Sequence, residues 1–182
     1  EALMTLDEGQ ADGRLHLSKG VHIVVDRKRL PVQNLVIMGT EDRRSIFAIA
    51  RGESVYVGTT DTTYTPGATV WPEIELRDVE YLLAPLAKTF KVDPLSPSDV
   101  IAAWSGLRPL VAQAGKEAKE ISRRDEIWVS PMGMVTIAGG KLTGYRRMAE
   151  SVIDRVLEVA PDLTAQDRSD KELDETPLPG GD

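Results

Sequence analysis

Two glycines, a lysine, a threonine and two arginines stand together in GGKLTGYRR, residues 139–147, between an apolar run and a long amphipathic stretch. A strand that ends in glycines and turns into a helix makes an anion site. The free amides at the helix N-terminus point outward, and the macrodipole favours negative charge. Gly139 and Gly140 let a ligand approach the backbone, and Lys141 adds a full charge. The spacing rejects a nucleotide P-loop. Val135 stands where its first glycine is required, and Leu142 follows the lysine in place of Ser or Thr. The dinucleotide fingerprint G-x-G-x-x-G is absent from the whole sequence. The same run also reads as a glycine-eased turn with solvated cations.

Four other stretches carry residue types that do chemistry. In WSGLRPL (104–110), Arg108 follows an apolar strand between Gly106 and Pro109, where a guanidinium offers forked donors to phosphate or carboxylate. In ISRRD (121–125), Arg123 and Arg124 would face opposite sides of a strand, so one can enter a pocket while the other is solvated. In SKGVHIVV (18–25), His22 lies inside an apolar strand. It reads either as a core histidine with its hydrogen bonds satisfied or as a general base. In VGTTDTTY (57–64), glycine, threonines and aspartate end a strand, a run that Asx and Thr turns also explain.

The elements that must position these groups follow from periodicity. Residues 13–61 contain short β-like runs separated by the turns EDRR (41–44) and RGE (51–53), and read as a β-meander. LRDVEYLLAPLAKTF (76–90) puts Val79, Leu82, Leu83, Leu86 and Phe90 on one helical face, with Pro85 predicting a kink or a late start. VIAAWSGLRPL (100–110) is an apolar strand expected to stop at Pro109. Residues 120–130 and 133–140 read as further strands. Residues 142–160 read as an amphipathic helix closed by Pro161. The polar, acidic stretch 162–182 reads as a linker.

Composition narrows the classes. A net charge of -7 argues against a nucleic-acid surface, so any anion site is a local basic pocket. The absence of cysteine removes disulfides, thiol catalysis and cysteine–zinc sites. Two histidines argue against a histidine-rich metal centre. No apolar run reaches the length of a membrane span.

Taken together, KGVHIVV, GTTDTTY, GLRPL, ISR and GGKLTGYR resemble, in order and spacing, the FAD-dependent glycerol-3-phosphate dehydrogenases and the similar glycerophosphate oxidases. The similarity runs from about residue 14 to 160, and TPLPGGD resembles the start of that family's C-terminal domain. Gly144 stands where the family has a second threonine, and Ala50 where proline is common. The resemblance implies FAD as cofactor and oxidation of sn-glycerol 3-phosphate to dihydroxyacetone phosphate, with quinone or oxygen as electron acceptor. It implies that Arg108, Arg123 and Lys141 hold the substrate phosphate and glycerol oxygens. It also implies that His22 lies beside the reacting carbon, and that Gly140, Lys141, Leu142 and Thr143 meet the flavin ring through backbone amides. His22 and Arg108 are thus the candidate catalytic residues, and no metal is expected. A cytoplasmic location follows, with the parent enzyme able to associate peripherally with the inner face of the cell membrane.

The fold expected from the order of elements is α+β, a mostly antiparallel mixed sheet with helices on one face. Three regions are expected: a substrate-binding domain (1–130), a returning strand and helix of an FAD-binding domain (131–160), and a linker (161–182). The nucleotide-binding half of the family is missing from the sequence, so an internal fragment, inactive alone, is expected. The alternatives are a fragment of another flavoprotein oxidase of the same broad fold, or a non-catalytic phosphate-binding domain.

Overall fold

The computed structural model describes residues 2–9, 13–65, 71–112, 124–163 and 177. In chain order the elements are α1 (Ala2–Glu8), β1 (Leu15–Asp26), β2 (Val36–Gly39), β3 (Ser45–Arg51), β4 (Ser54–Gly58), β5 (Thr62–Thr63) and α2 (Leu76–Thr89). A 3-10 turn (Pro97–Asp99) leads into β6 (Val100–Val111). β7 (Glu126–Val129) and β8 (Val135–Ala138) follow, then a second 3-10 turn (Leu142–Gly144) and α3 (Tyr145–Val159). The chain divides into two compact units. One holds residues 16–109. The other is assembled from 1–15, 110–114 and 121–182. The class is α+β with an antiparallel sheet, as expected.

The first unit is a sheet with strand order β2-β3-β4-β1, extended by β5 and β6, both of which pair with β1. The simple meander expected for 13–61 is corrected here. β1 pairs with β4, His22 opposite Gly58 and Val25 opposite Val55, while β2 lies at the far edge. This is the Greek-key order. Its cause lies in residues 27–35, where a turn closed by the Arg29 and Leu30 amides donating to the Asp26 carbonyl does not lead straight into β2. Leu30 and Val32 are buried, and Arg27 donates from Nε to the Val32 carbonyl at 3.0 Å. Burial of this connection carries the chain away from β1 before β2 begins.

β1 alternates between two environments. Val21, Ile23 and Val25 are fully buried with Ile46, Ala48, Val55 and Val57, against Leu82, Leu83 and Leu86 of α2. The helical face read from the sequence is the one that packs. α2 starts at Leu76, without a late start, and continues through Pro85 to Thr89. A proline inside a helix costs about 3 kcal/mol. Burying three leucines contributes roughly 1.5–3 kcal/mol each and outweighs it. β6 likewise continues past Pro109 to Val111. Its neighbour among the described strands is β1, and an edge strand tolerates a residue that donates no ladder bond.

In the second unit β7 and β8 form a hairpin, with Ile127 opposite Ile137. The described part of the strand expected at 120–130 is limited to 126–129. Gly139 (φ 81°) and Gly140 (φ 76°) then turn the chain into the 3-10 turn and α3. A side chain on Gly139 would overlap the Arg124 carbonyl, and one on Gly140 would meet the Met148 sulfur at 2.6 Å. Gly139 therefore requires glycine for packing as well as for φ, while Gly140 requires it for φ, since the end of the Met148 side chain can move aside. Among the described residues no helix is long and apolar enough to cross a membrane.

Candidate active site

The core takes Lys19, Val21, Ile23 and Val25 of β1. The alternate residues Ser18, Gly20 and His22 point to the other face. On β6 the same period puts Trp104, Gly106 and Arg108 on one side. The two rows meet. The Arg108 guanidinium lies directly over Gly20, where any Cβ would overlap it. The Trp104 indole stacks on His22 with centroids 4.9 Å apart and planes within 6°. Gly58, the cross-strand partner of His22, has no side chain, and the imidazole occupies the space that one would fill.

The turn after β4 holds Arg108. Its Nη2 donates to Thr59 Oγ1 at 2.8 Å and its Nη1 to the Thr60 carbonyl at 3.3 Å, with Asp61 Oδ1 at 3.7 Å. The turn is itself tied down. Thr60 Oγ1 accepts the Val21 amide at 2.9 Å, and Ser18 Oγ donates to the Asp61 carboxylate. Arg44 Nη1 reaches the Asp61 carbonyl at 2.6 Å. Arg44 in turn is held by Asp42 at 2.5 Å and lies over the Tyr81 ring at 4.9 Å. The threonines and aspartate of VGTTDTTY, a run that turns also explain, are thus the seat of Arg108.

Burial, and secondarily the Arg108 charge, lower the pKa of His22 below its ordinary value. The imidazole is therefore neutral at pH 7 and able to accept a proton. This arrangement joins a proton acceptor and a forked cation on neighbouring strands. His22 and Gly20 are two residues apart on β1, about 6–7 Å, which sets the scale of a ligand that spans both.

Lys141 and its neighbours belong to the second unit. Lys141, Leu142 and Thr143 are exposed, Leu142 at 88%. Neither the 3-10 turn nor α3 has a side-chain cap or an acidic residue in its first turn. The amides beside Lys141 carry no side-chain cap, but Asp125 packs close by, its Cβ 3.2 Å from where a Cβ on Gly140 would lie. Arg123 lies outside the described residues. The structure thus joins His22 and Arg108 in one unit and places Gly140–Thr143 in the other.

Sequence reasoning assigned no role to Trp104, Thr59, Asp61, Ser18 or Gly58. The alternation of Trp104 with Arg108 along β6 was a usable signal. The pairing of Gly58 with His22 was not, because it depends on register between distant strands.

Residues 2–146 match the family of FAD dependent oxidoreductases. The chain belongs to that family. The aerobic glycerol-3-phosphate dehydrogenase of Bacillus subtilis (strain 168) is 38% identical over 181 residues, covering 100% of this chain and 32% of that protein. The enzyme of the same name from Staphylococcus haemolyticus is 41% identical over 170 residues, 93% of this chain and 30% of that protein. Among solved structures, glycerol-3-phosphate dehydrogenase from Bacillus halodurans complexed with FAD is 43% identical with a TM-score of 0.67, over 79% of this chain and 27% of that one. The chain spans about a third of the length of these curated relatives. As an FAD dependent oxidoreductase it is a member of a family whose cofactor is FAD.

Proposed function

We propose that the whole protein oxidises sn-glycerol 3-phosphate to dihydroxyacetone phosphate, and that this chain supplies the substrate-binding side of the site. The observation that carries the reading is the placement of a neutral imidazole and a seated guanidinium on one sheet face, two residues of β1 apart. His22 accepts the proton of the C2 hydroxyl. Arg108 holds the phosphate, a few bonds away on the same small molecule. Arg123 and Lys141 are the further cations that the sequence motifs propose for the phosphate and glycerol oxygens. FAD, when bound, supplies the hydride acceptor, and Gly140–Thr143 meet its ring edge through their amides. The unit of residues 16–109 carries the substrate side, and the β7–β8 hairpin and α3 return to the FAD-binding domain, with 161–182 as a linker. Quinone or oxygen takes the electrons, and the protein works in the cytoplasm, at or near the inner face of the membrane.

The first test is direct. The whole protein is expected to show flavin absorbance and to reduce a dye when given glycerol 3-phosphate, whereas glycerol, lacking the phosphate, is a poor substrate. A flavin-free protein, or one indifferent to glycerol 3-phosphate, ends this reading.

Arg108→Ala tests the phosphate contact. Charge-assisted bonds are worth about 1.5–3 kcal/mol, so KM for glycerol 3-phosphate is expected to rise roughly 10–100-fold. FAD content is expected to stay constant, and the residual turnover of glycerol to change little. Equal losses for both substrates would remove Arg108 from the phosphate site.

A further inference from the structure

We propose that Trp104 is a positioning residue for His22: its indole fixes the plane of the imidazole and keeps water off one of its faces. The inference rests on the assignment of His22 to the substrate hydroxyl. Four strands build the setting. The Trp104 ring of β6 lies parallel to the His22 ring of β1, at 4.9 Å and 6°. Tyr56 of β4 meets the indole edge-on at 5.3 Å and 80°. Phe47 of β3 flanks the imidazole at 5.7 Å and 43°. Gly58 of β4 leaves room beneath it.

Two features separate this from ordinary packing. Trp104 is 43% exposed on an edge strand and does not belong to the core cluster around α2. Its flat face is spent on a polar ring, on the same strand face as Arg108. The charged group facing the imidazole is Arg108, also on β6, and its other neighbours are the rings of Phe47 and Trp104. Burial is the leading cause of the lowered His22 pKa, and the indole contributes to that burial. An aromatic stack also stops rotation about the ring bond, which an imidazole with one open face would retain.

The test uses two preparations. The 182-residue chain contains only two histidines, His16 and His22, so their imidazole signals separate readily by NMR. Under the indole, the His22 ring protons are expected upfield, and its titration midpoint below about 6.5. Trp104→Ala is expected to abolish the upfield shift and raise the midpoint toward the ordinary value. Trp104→Phe is expected to keep most of both. In the whole protein, Trp104→Ala is expected to lower kcat roughly 10–100-fold, the cost of a misplaced catalytic group. KM should move little, and phenylalanine should restore most of the rate. Should alanine disturb β6, seen as lost amide dispersion, Trp104→Leu keeps apolar bulk without a ring. It is expected to lose the upfield shift and the rate together. An unchanged His22 midpoint and ring shift in Trp104→Ala, or a kcat equal to wild type, overturns the role of Trp104. The assignment of His22 fails differently: His22→Asn would then leave kcat intact while the NMR contrast persisted.

Discussion

Replacing His22 by asparagine is expected to lower kcat of the whole protein by roughly 10²–10⁴-fold, the usual contribution of a positioned acid–base group. KM should change far less, because Arg108 and the turn that seats it are untouched. Asparagine approximates the shape of the imidazole and retains polar atoms but cannot take a proton at neutral pH. Gly58→Ala offers the same outcome by geometry alone. The added methyl would overlap the His22 ring, so the imidazole must leave its place between Gly58 and Trp104. Turnover should fall although every chemical group of the site remains. A Gly58→Ala protein with normal kcat would show that the ring position is irrelevant.

The same histidine predicts a pH effect on stability. Burial and the Arg108 charge lower its folded pKa, so the unfolded chain binds the proton first. The stability it contributes is complete above about pH 6.5 and is lost as pH falls from there toward the lower folded value. Thermal melts of the chain between neutral pH and about pH 5 should show a decline in wild type that His22→Asn lacks. Parallel curves would mean that the folded pKa is not displaced.

Lys19→Ala is expected to destabilise the chain by about 3–5 kcal/mol, the cost of stranding one partner of a buried ion pair. Lys19 Nζ lies 2.7 Å from Asp78 Oδ2 and 3.1 Å from Glu75 Oε2, with 6% of its side chain exposed and 4% of that of Asp78. It also donates to the Glu73 carbonyl at 3.2 Å. Asp78 in turn accepts the Glu75 amide at 2.9 Å, so one carboxylate both starts α2 and receives the lysine. Removing the cation leaves that carboxylate buried beneath the sheet. Burial alone would lower the Lys19 pKa, but the hydrogen bonds and charges of Asp78 and Glu75 win, and the net shift is upward. Its stabilisation is therefore complete below the unfolded pKa of about 10.4 and disappears as pH rises through the higher folded value. The measurement is denaturant unfolding of the chain. A midpoint equal to wild type would show that the pair contributes nothing. A double variant, Lys19→Met with Asp78→Leu, should recover much of the loss, because apolar groups of similar size replace a buried pair at little cost.

Lys19 and His22 stand three residues apart in one apolar run, and their fates show what each level of organisation decides. By itself the sequence determined that residues 18–25 form a strand whose side chains alternate. It also determined that Val79, Leu82, Leu83 and Leu86 share a helical face, and that glycines precede a basic helix start at 139–144. It carried the ordered motifs of a flavoprotein oxidoreductase. All of these are read from local spacing, which the backbone periods of 2.0 and 3.6 enforce wherever the segment lies. Only the tertiary structure decided which row of β1 meets the core. That choice sends Lys19 to the carboxylates of α2 and His22 to Trp104. The sequence order of β1 to β4 implied neighbours in series. Burial of Leu30 and Val32 instead carried the chain away, so that β4 returned beside β1 and Gly58 came opposite His22. The turn at 59–61 looked self-sufficient, yet its threonine and aspartate oxygens face Arg108, nearly fifty residues later. Cross-strand register depends on the summed packing of a sheet, and no local spacing encodes it.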